Sequence, residues 1–111
     1  MNFSTETHGD IAIFHLDGDV MGGPEATRVN EEINRMLDEG TLKVVIDLAG
    51  VTRMNSSGLG ILINALNTYK KNGGDLKLAN VAPVVQNLMT ITKLNTLFDI
   101  HDSVELAIAN F

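Results

Sequence analysis

Two adjacent serines, Ser56 and Ser57, lie where a strand-like apolar run passes through a polar, glycine-bearing segment into a helix-like pattern. The first N–H groups of a helix lack intrahelical acceptors, and the helix dipole places partial positive charge beside them. A phosphate carried by a hydroxyl at this position would therefore be stabilised as an anion. If the serine pair is functional, its position favours a regulatory switch over a catalyst.

A nucleophilic serine is the competing interpretation of Ser57, with His15 or His101 as its base. The sequence has no Gly-x-Ser-x-Gly motif, and 111 residues are few for an α/β-hydrolase. Serine also begins many helices for structural reasons alone, so the pair by itself does not identify a functional site. The flanking sequences Met54-Asn55 and Gly58-Leu59-Gly60 favour the functional interpretation, and we expect no enzymatic activity.

Neither a metal nor a cofactor is expected. The chain has no cysteine, and its three histidines, His8, His15 and His101, lack the spacing of metal ligands. The glycine pairs at residues 22–23 and 73–74 are not followed by the Gly-Lys-Ser/Thr sequence of a phosphate-binding loop. We interpret them as helix boundaries.

The charge of the chain argues against a nucleic-acid partner. The formal net charge is −6, and the eight basic residues are scattered along the sequence, whereas binding to a phosphate backbone requires clustered Lys and Arg. No apolar run approaches the ~20 residues of a membrane span, and the N-terminal residues do not resemble a signal peptide. We therefore expect a cytoplasmic protein with no direct membrane insertion.

Hydrophobic patterns predict the first half of the fold. Strands over residues 3–8 and 11–16 flank Gly9-Asp10, a two-residue hairpin turn. Helical spacing runs from Pro24 to Glu39, with proline at the first helical position. The β-branched run from Lys43 to Leu48 is typical of a strand buried on both faces.

The second half continues the alternation of helix and strand. A helix from about Ser56 to Asn72 precedes a strand over Leu76 to Ala79, Asn80 is expected to cap a third helix, and Asp102 to open a fourth. The side chains expected to dock the fourth helix are Leu106, Ile108 and Phe111. We therefore predict an α/β fold with a small mixed β-sheet of four to five strands and about four helices packed on it, in one domain over residues 1–111.

The run Asp47-Leu48-Ala49-Gly50-Val51-Thr52-Arg53-Met54-Asn55-Ser56-Ser57-Gly58-Leu59-Gly60 resembles the signature of the anti-sigma factor antagonists, which are single STAS domains. The usual form in that family is Asp-Leu, a hydrophobic residue a little further on, and then Met-Asp-Ser-Ser-Gly-Leu-Gly. The resemblance extends over nearly the whole chain, including the turn Gly18-Asp19-Val20, the strand restart at Gly73-Gly74 and the connection Leu97-Phe98.

The resemblance implies partner switching. An unmodified antagonist binds an anti-sigma factor that is also a serine kinase, and so frees a sigma factor for transcription. The family's phosphorylated serine is the second of the pair, here Ser57; phosphorylation ends binding, and a metal-dependent serine phosphatase restores it. The alternative is a STAS-type scaffold or subunit of a transporter or signalling complex that is not phosphorylated.

We expect the protein to be a monomer or a weak dimer.

Two segments are expected to form the partner surface, the loop from Gly18 to Gly23 and the start of the helix at Ser56. We expect this loop to lie beside Ser57, and Met21 and Met54 to be partly exposed. Gly58 and Gly60 are expected to permit close packing of helix on strand. The residues predicted to contact the partner are Gly18, Asp19, Val20, Met21, Met54, Asn55, Ser56, Gly58 and Leu59.

Two positions depart from the family pattern, because Asn55 and Met21 stand where the family usually has aspartate. Asn55 retains a side-chain oxygen that can cap the helix. Both changes remove negative charge near Ser57. They are compatible with easier acceptance of a phosphate, with a different partner, or with a binding surface that is used without phosphorylation.

Overall fold

The protein is a five-stranded sheet with four helices, seen in a computed structural model that describes residues 1–111. This confirms the predicted α/β class. The elements in chain order are β1 (Asn2–His8), β2 (Ile11–Val20), α1 (Pro24–Asp38), β3 (Lys43–Met54), α2 (Ser56–Lys71), β4 (Asp75–Ala79), α3 (Pro83–Ile91), β5 (Asp99–His101) and α4 (Val104–Ala109).

The strands follow one another across the sheet in the order β1-β2-β3-β4-β5. β1 is antiparallel to β2, and every other neighbouring pair is parallel. One helix connects each parallel pair, so α1, α2 and α3 are successive crossovers, which take the same hand and lie on the same face. The carboxyl ends of β2 and β3 therefore meet the N-terminus of α2 at one edge of the sheet.

Alternate residues of the central strand β3 enter two separate cores. Val44, Ile46 and Leu48 belong to the large core of 23 buried residues that also contains side chains from α1, α2 and α3. Val45 points to the opposite face, where it joins Ile11, Ala79 and Ala107 of α4. Burial on both faces explains the continuous β-branched run in this strand.

β2 and β3 are longer than the sequence predicted, since they end at Val20 and Met54 instead of at residues 16 and 48. The added residues pair with one another, but the register shifts between His15 and Asp17 and again between Gly18 and Asp19. Such irregularities break the alternation that identifies a strand in a sequence. The predicted turn Gly18-Asp19-Val20 is therefore wrong: these residues are the end of β2.

Two predicted helix caps are also wrong. Asn80 has a φ of 56° and lies outside α3, whose N-cap is Ala82. The N-cap of α4 is Ser103, whose Oγ accepts a hydrogen bond from the backbone N–H of Leu106 at 3.1 Å. The side chain of Leu106 is exposed rather than docked. Of the three predicted docking residues, only Ile108 and Phe111 pack against the core.

A polar network crosses the sheet on the face of α4. His15 of β2 contacts Glu6 of β1 through Nε2 (2.9 Å) and Asp47 of β3 through Nδ1 (2.7 Å). Asp47 also accepts hydrogen bonds from the Asn80 amide at 2.9 Å and the backbone N–H of Ala49 at 3.0 Å. Burial alone would lower the pKa of His15, but its contacts with the two carboxylates outweigh burial and raise that pKa above 6.5. The network favours the imidazolium form.

The network predicts a pH-dependent contribution to stability. A histidine whose pKa is higher in the folded than in the unfolded state stabilises the fold fully below its unfolded pKa, and this stabilisation is lost as pH rises through the folded pKa. We expect the stability advantage of the wild type over His15→Gln to shrink between about pH 5.5 and about pH 8.5, as measured by urea unfolding. His8→Gln, at an exposed position of β1, is the control. A constant difference between wild type and His15→Gln across this range would contradict the account.

Candidate functional site

The candidate site is built where β2 and β3 end and α2 begins. Val20 and Met54 are paired across the two strands, and both side chains are buried in the large core. Only Asn55 separates the end of β3 from Ser56, the first residue of α2. The backbone of the serine pair is therefore fixed by the sheet on one side and the helix on the other.

Asn55 caps α2, as predicted. Its backbone is extended, and its Oδ1 accepts a hydrogen bond from the backbone N–H of Gly58 at 2.8 Å. The carbonyl oxygen of Asn55 accepts the N–H of Leu59 at 2.9 Å. The N–H groups of Ser56 and Ser57 then have no intrahelical acceptor, and both serine side chains are exposed. The first turn of α2 thus offers backbone donors beside two accessible hydroxyls.

Gly58 allows the first turn of α2 to lie directly on the end of β2. A Cβ atom at this position would be 1.8 Å from the carbonyl oxygen of Val20. No side chain fits in that space, so glycine is required for this contact. Gly60 is different, because a Cβ atom there would have no neighbour within 4 Å. The predicted packing role is therefore confirmed for Gly58 and wrong for Gly60.

The segment after β2 folds against Ser57. Gly22 has a φ of +87°, and a Cβ atom built on it would lie 2.8 Å from the Cβ of Ser57. This close approach places residues 21–23, the part of the predicted loop that lies outside β2, beside Ser57. Met21, immediately before Gly22, is 41% exposed. Residues 21–23 and the start of α2 consequently form one continuous surface.

Four of the predicted partner contacts are not available as side-chain contacts. Val20, Met54 and Leu59 are buried in the large core, with Met54 only 9% exposed, and Gly58 is buried against β2. The expectation that Met54 is partly exposed is therefore wrong. The remaining candidates divide into exposed residues, Met21 and Ser56, and half-buried ones, Gly18, Asp19 and Asn55, and the predicted phosphorylation site Ser57 is also exposed. The four buried residues pack beneath the surface and fix its position.

Asp19 is held within the chain by its neighbours on β3. Arg53 and Thr52 both donate hydrogen bonds to its carboxylate, the latter from Oγ1 at 2.7 Å. The hydrogen bond from Arg53 is the largest contribution, and together with that from Thr52 it lowers the pKa of Asp19 to about 2. Arg53 was not among the predicted site residues. The pairing of Arg53 with Asp19 could have been predicted from the sequence only if the two strands had been extended through residues 17–20 and 50–54.

The family can be assigned from comparison with known proteins. The protein-family model of the STAS domain matches residues 2–107 of the chain. The chain belongs to the STAS domain family. The anti-sigma-B factor antagonist of Staphylococcus epidermidis is 32% identical over 108 residues, which cover 96% of this chain and 97% of that protein.

Solved structures of other proteins share the fold. An anti-sigma factor antagonist from Mycobacterium paratuberculosis has a TM-score of 0.84 at 19% identity, covering 98% of this chain and 92% of that one. The Bacillus cell fate determinant SpoIIAA in its phosphorylated form has a TM-score of 0.74 at 17% identity, covering 98% of both chains. At these identities the likeness supports the fold alone. No helix of this STAS domain is both long and apolar enough to cross a membrane.

The two helical glycines of this STAS domain provide a matched test of how α2 is positioned. Gly58→Ala forces a methyl group into the carbonyl of Val20 and is expected to destabilise the protein by about 2–3 kcal/mol. Gly60→Ala introduces a better helix former into open space and is expected to stabilise it by about 0.5–1 kcal/mol. Urea unfolding of both variants measures these changes. Equal effects of the two substitutions would contradict the close packing of α2 on β2.

Proposed function

We propose that this chain is an anti-sigma factor antagonist controlled by phosphorylation of Ser57. In the unmodified state it binds an anti-sigma factor that is also a serine kinase, which releases the sigma factor. A metal-dependent serine phosphatase reverses the modification. The observation that carries the proposal is an exposed Ser57 in the first turn of a capped helix, directly against Gly22 of the neighbouring segment.

The local structure favours Ser57 as the phosphate acceptor. Both serines are exposed, but Ser57 touches Gly22 and therefore lies at the junction of the two segments of the surface. A phosphate there is stabilised by the helix dipole and the unpaired N–H groups of the first turn. The Asn55 side chain caps the helix by accepting the N–H of Gly58. The N–H groups of Ser56 and Ser57 therefore remain available to a phosphate.

Charge explains how phosphorylation would release the partner. None of the residues 20–24 and 54–60 carries a charged side chain. A phosphoserine adds roughly −1.5 to −2 charges, which a bound partner would have to desolvate. A hundredfold loss of affinity requires only ~2.7 kcal/mol, which is within reach of the cost of desolvating one dianionic group at an interface. The switch therefore needs no change of fold.

Phosphorylation by the cognate kinase tests the assignment of the serine. The wild type, Ser56→Ala and Ser57→Ala are each incubated with the anti-sigma factor and ATP, and the phosphate is located by peptide mass mapping. We expect one phosphate on the wild type and on Ser56→Ala, and none on Ser57→Ala. Labelling of Ser57→Ala to the level of the wild type would refute the assignment.

Binding separates the charge mechanism from a simple loss of the hydroxyl. Ser57→Asp is expected to bind the anti-sigma factor at least tenfold more weakly than Ser57→Ala, as measured by calorimetry. Equal affinities would exclude a mechanism based on charge. Recovery of transporter components instead of an ATP-binding kinase from cell extract would support the scaffold alternative and contradict the proposed function.

A further inference from the structure

The uncharged surface around Ser57 has one prominent apolar side chain, that of Met21. We refer to residues 20–24 and 54–60 together as the Met21 surface. Met21 is 41% exposed, whereas the other large apolar side chains of this surface, Val20, Met54 and Leu59, are buried. It is consequently the one large apolar group that the surface offers to a partner.

Met21 is presented by a backbone that is fixed on both sides. The preceding Val20 is completely buried and paired with Met54. The following Gly22 has a φ of +87° and lies against Ser57. The Met21 side chain therefore projects from a defined place beside Ser57, although its own thioether chain remains adaptable. This combination is typical of an anchor residue, since little backbone order has to be gained on binding.

The charges closest in sequence to the Met21 surface are already paired within the chain. Asp19 is neutralised by Arg53, and Glu25 accepts a hydrogen bond from the N-terminal ammonium group at 3.1 Å. The Met21 surface itself therefore offers a partner no charged side chain, even though the chain as a whole carries a net charge of −6. Binding energy at this surface must therefore come from apolar contact and from hydrogen bonds between uncharged groups.

We infer that Met21 is the anchor and specificity determinant of this antagonist, inserting into an uncharged apolar pocket of the anti-sigma factor. The inference rests on the proposed function and specifies the partner's chemistry. The partner pocket has to be lined by apolar side chains and to lack a basic group facing position 21. Affinity at this surface then depends weakly on salt, because screening acts on charges and not on apolar contact.

Calorimetric titration of the anti-sigma factor with matched variants tests the anchor. Met21→Ala is expected to weaken binding at least tenfold, Met21→Leu to keep it within threefold, and Met21→Asp to weaken it more than Met21→Ala. Leu42→Ala is the control, because Leu42 is equally exposed at 43% but precedes β3 at the opposite edge of the sheet. It should change affinity less than twofold. Wild-type affinity should change less than about threefold between about 50 and 500 mM salt.

The outcomes distinguish this inference from the proposed function. Wild-type affinity for Met21→Ala, with weakened binding of Ser57→Asp, would overturn the anchor and leave the proposed function intact. Strengthened binding of Met21→Asp would also overturn it, since it would reveal a basic group at the pocket. If neither Met21→Ala nor Ser57→Asp alters affinity, the surface itself is misassigned and both proposals fail. Circular dichroism and thermal unfolding confirm that each variant is folded.

Discussion

The contact between Gly58 and the carbonyl oxygen of Val20 is the constraint on which the candidate site depends. Because Gly58 has no side chain, the first turn of α2 lies on the last residue of β2. That contact joins two segments more than thirty residues apart in sequence and brings Gly22 against Ser57. A larger residue at position 58 would separate the helix from the strand. The two segments would then no longer form one continuous surface.

Charged side chains form a network on one part of the molecule and are absent from the surface around Ser57. Across the face of α4, Glu6, His15 and Asp47 form a hydrogen-bonded network that links three adjacent strands. Around Ser57 the side chains are uncharged, and the flanking Asp19 is paired with Arg53. A polar network stabilises structure when its members are satisfied. An uncharged surface gives the largest relative change when a single phosphate is added, which is what a switch based on charge requires.

Much of this structure could be predicted from local sequence signals. Pro24 predicts the start of α1, the β-branched run predicts the central strand, and Asn55 predicts the cap of α2. These signals act over a few residues and do not depend on the rest of the fold. The resemblance to the anti-sigma factor antagonists added the family, which the STAS match over residues 2–107 confirms.

The remaining features depend on contacts between distant residues. The ends of β2 and β3 were missed because two register shifts interrupt their alternation. Asparagine is a common helix cap, but the side-chain amide of Asn80 instead donates a hydrogen bond to Asp47. A partner on another strand cannot be identified from the residues next to Asn80 in the sequence. The burial of Met54 follows from its pairing with Val20. These features belong to the pairing of β2 with β3 and of β3 with β4, which no single segment specifies.

The most direct measurement of the account is a pair of amide NMR titrations with the anti-sigma factor, one of the unmodified chain and one of the chain phosphorylated at Ser57. The account predicts that the unmodified chain shows its largest shift changes in residues 18–24 and 54–60 together, and that the phosphorylated chain shows none at the same concentrations. Shift changes centred on α3 or α4, or equal changes for both forms, would contradict a partner surface switched by charge at Ser57.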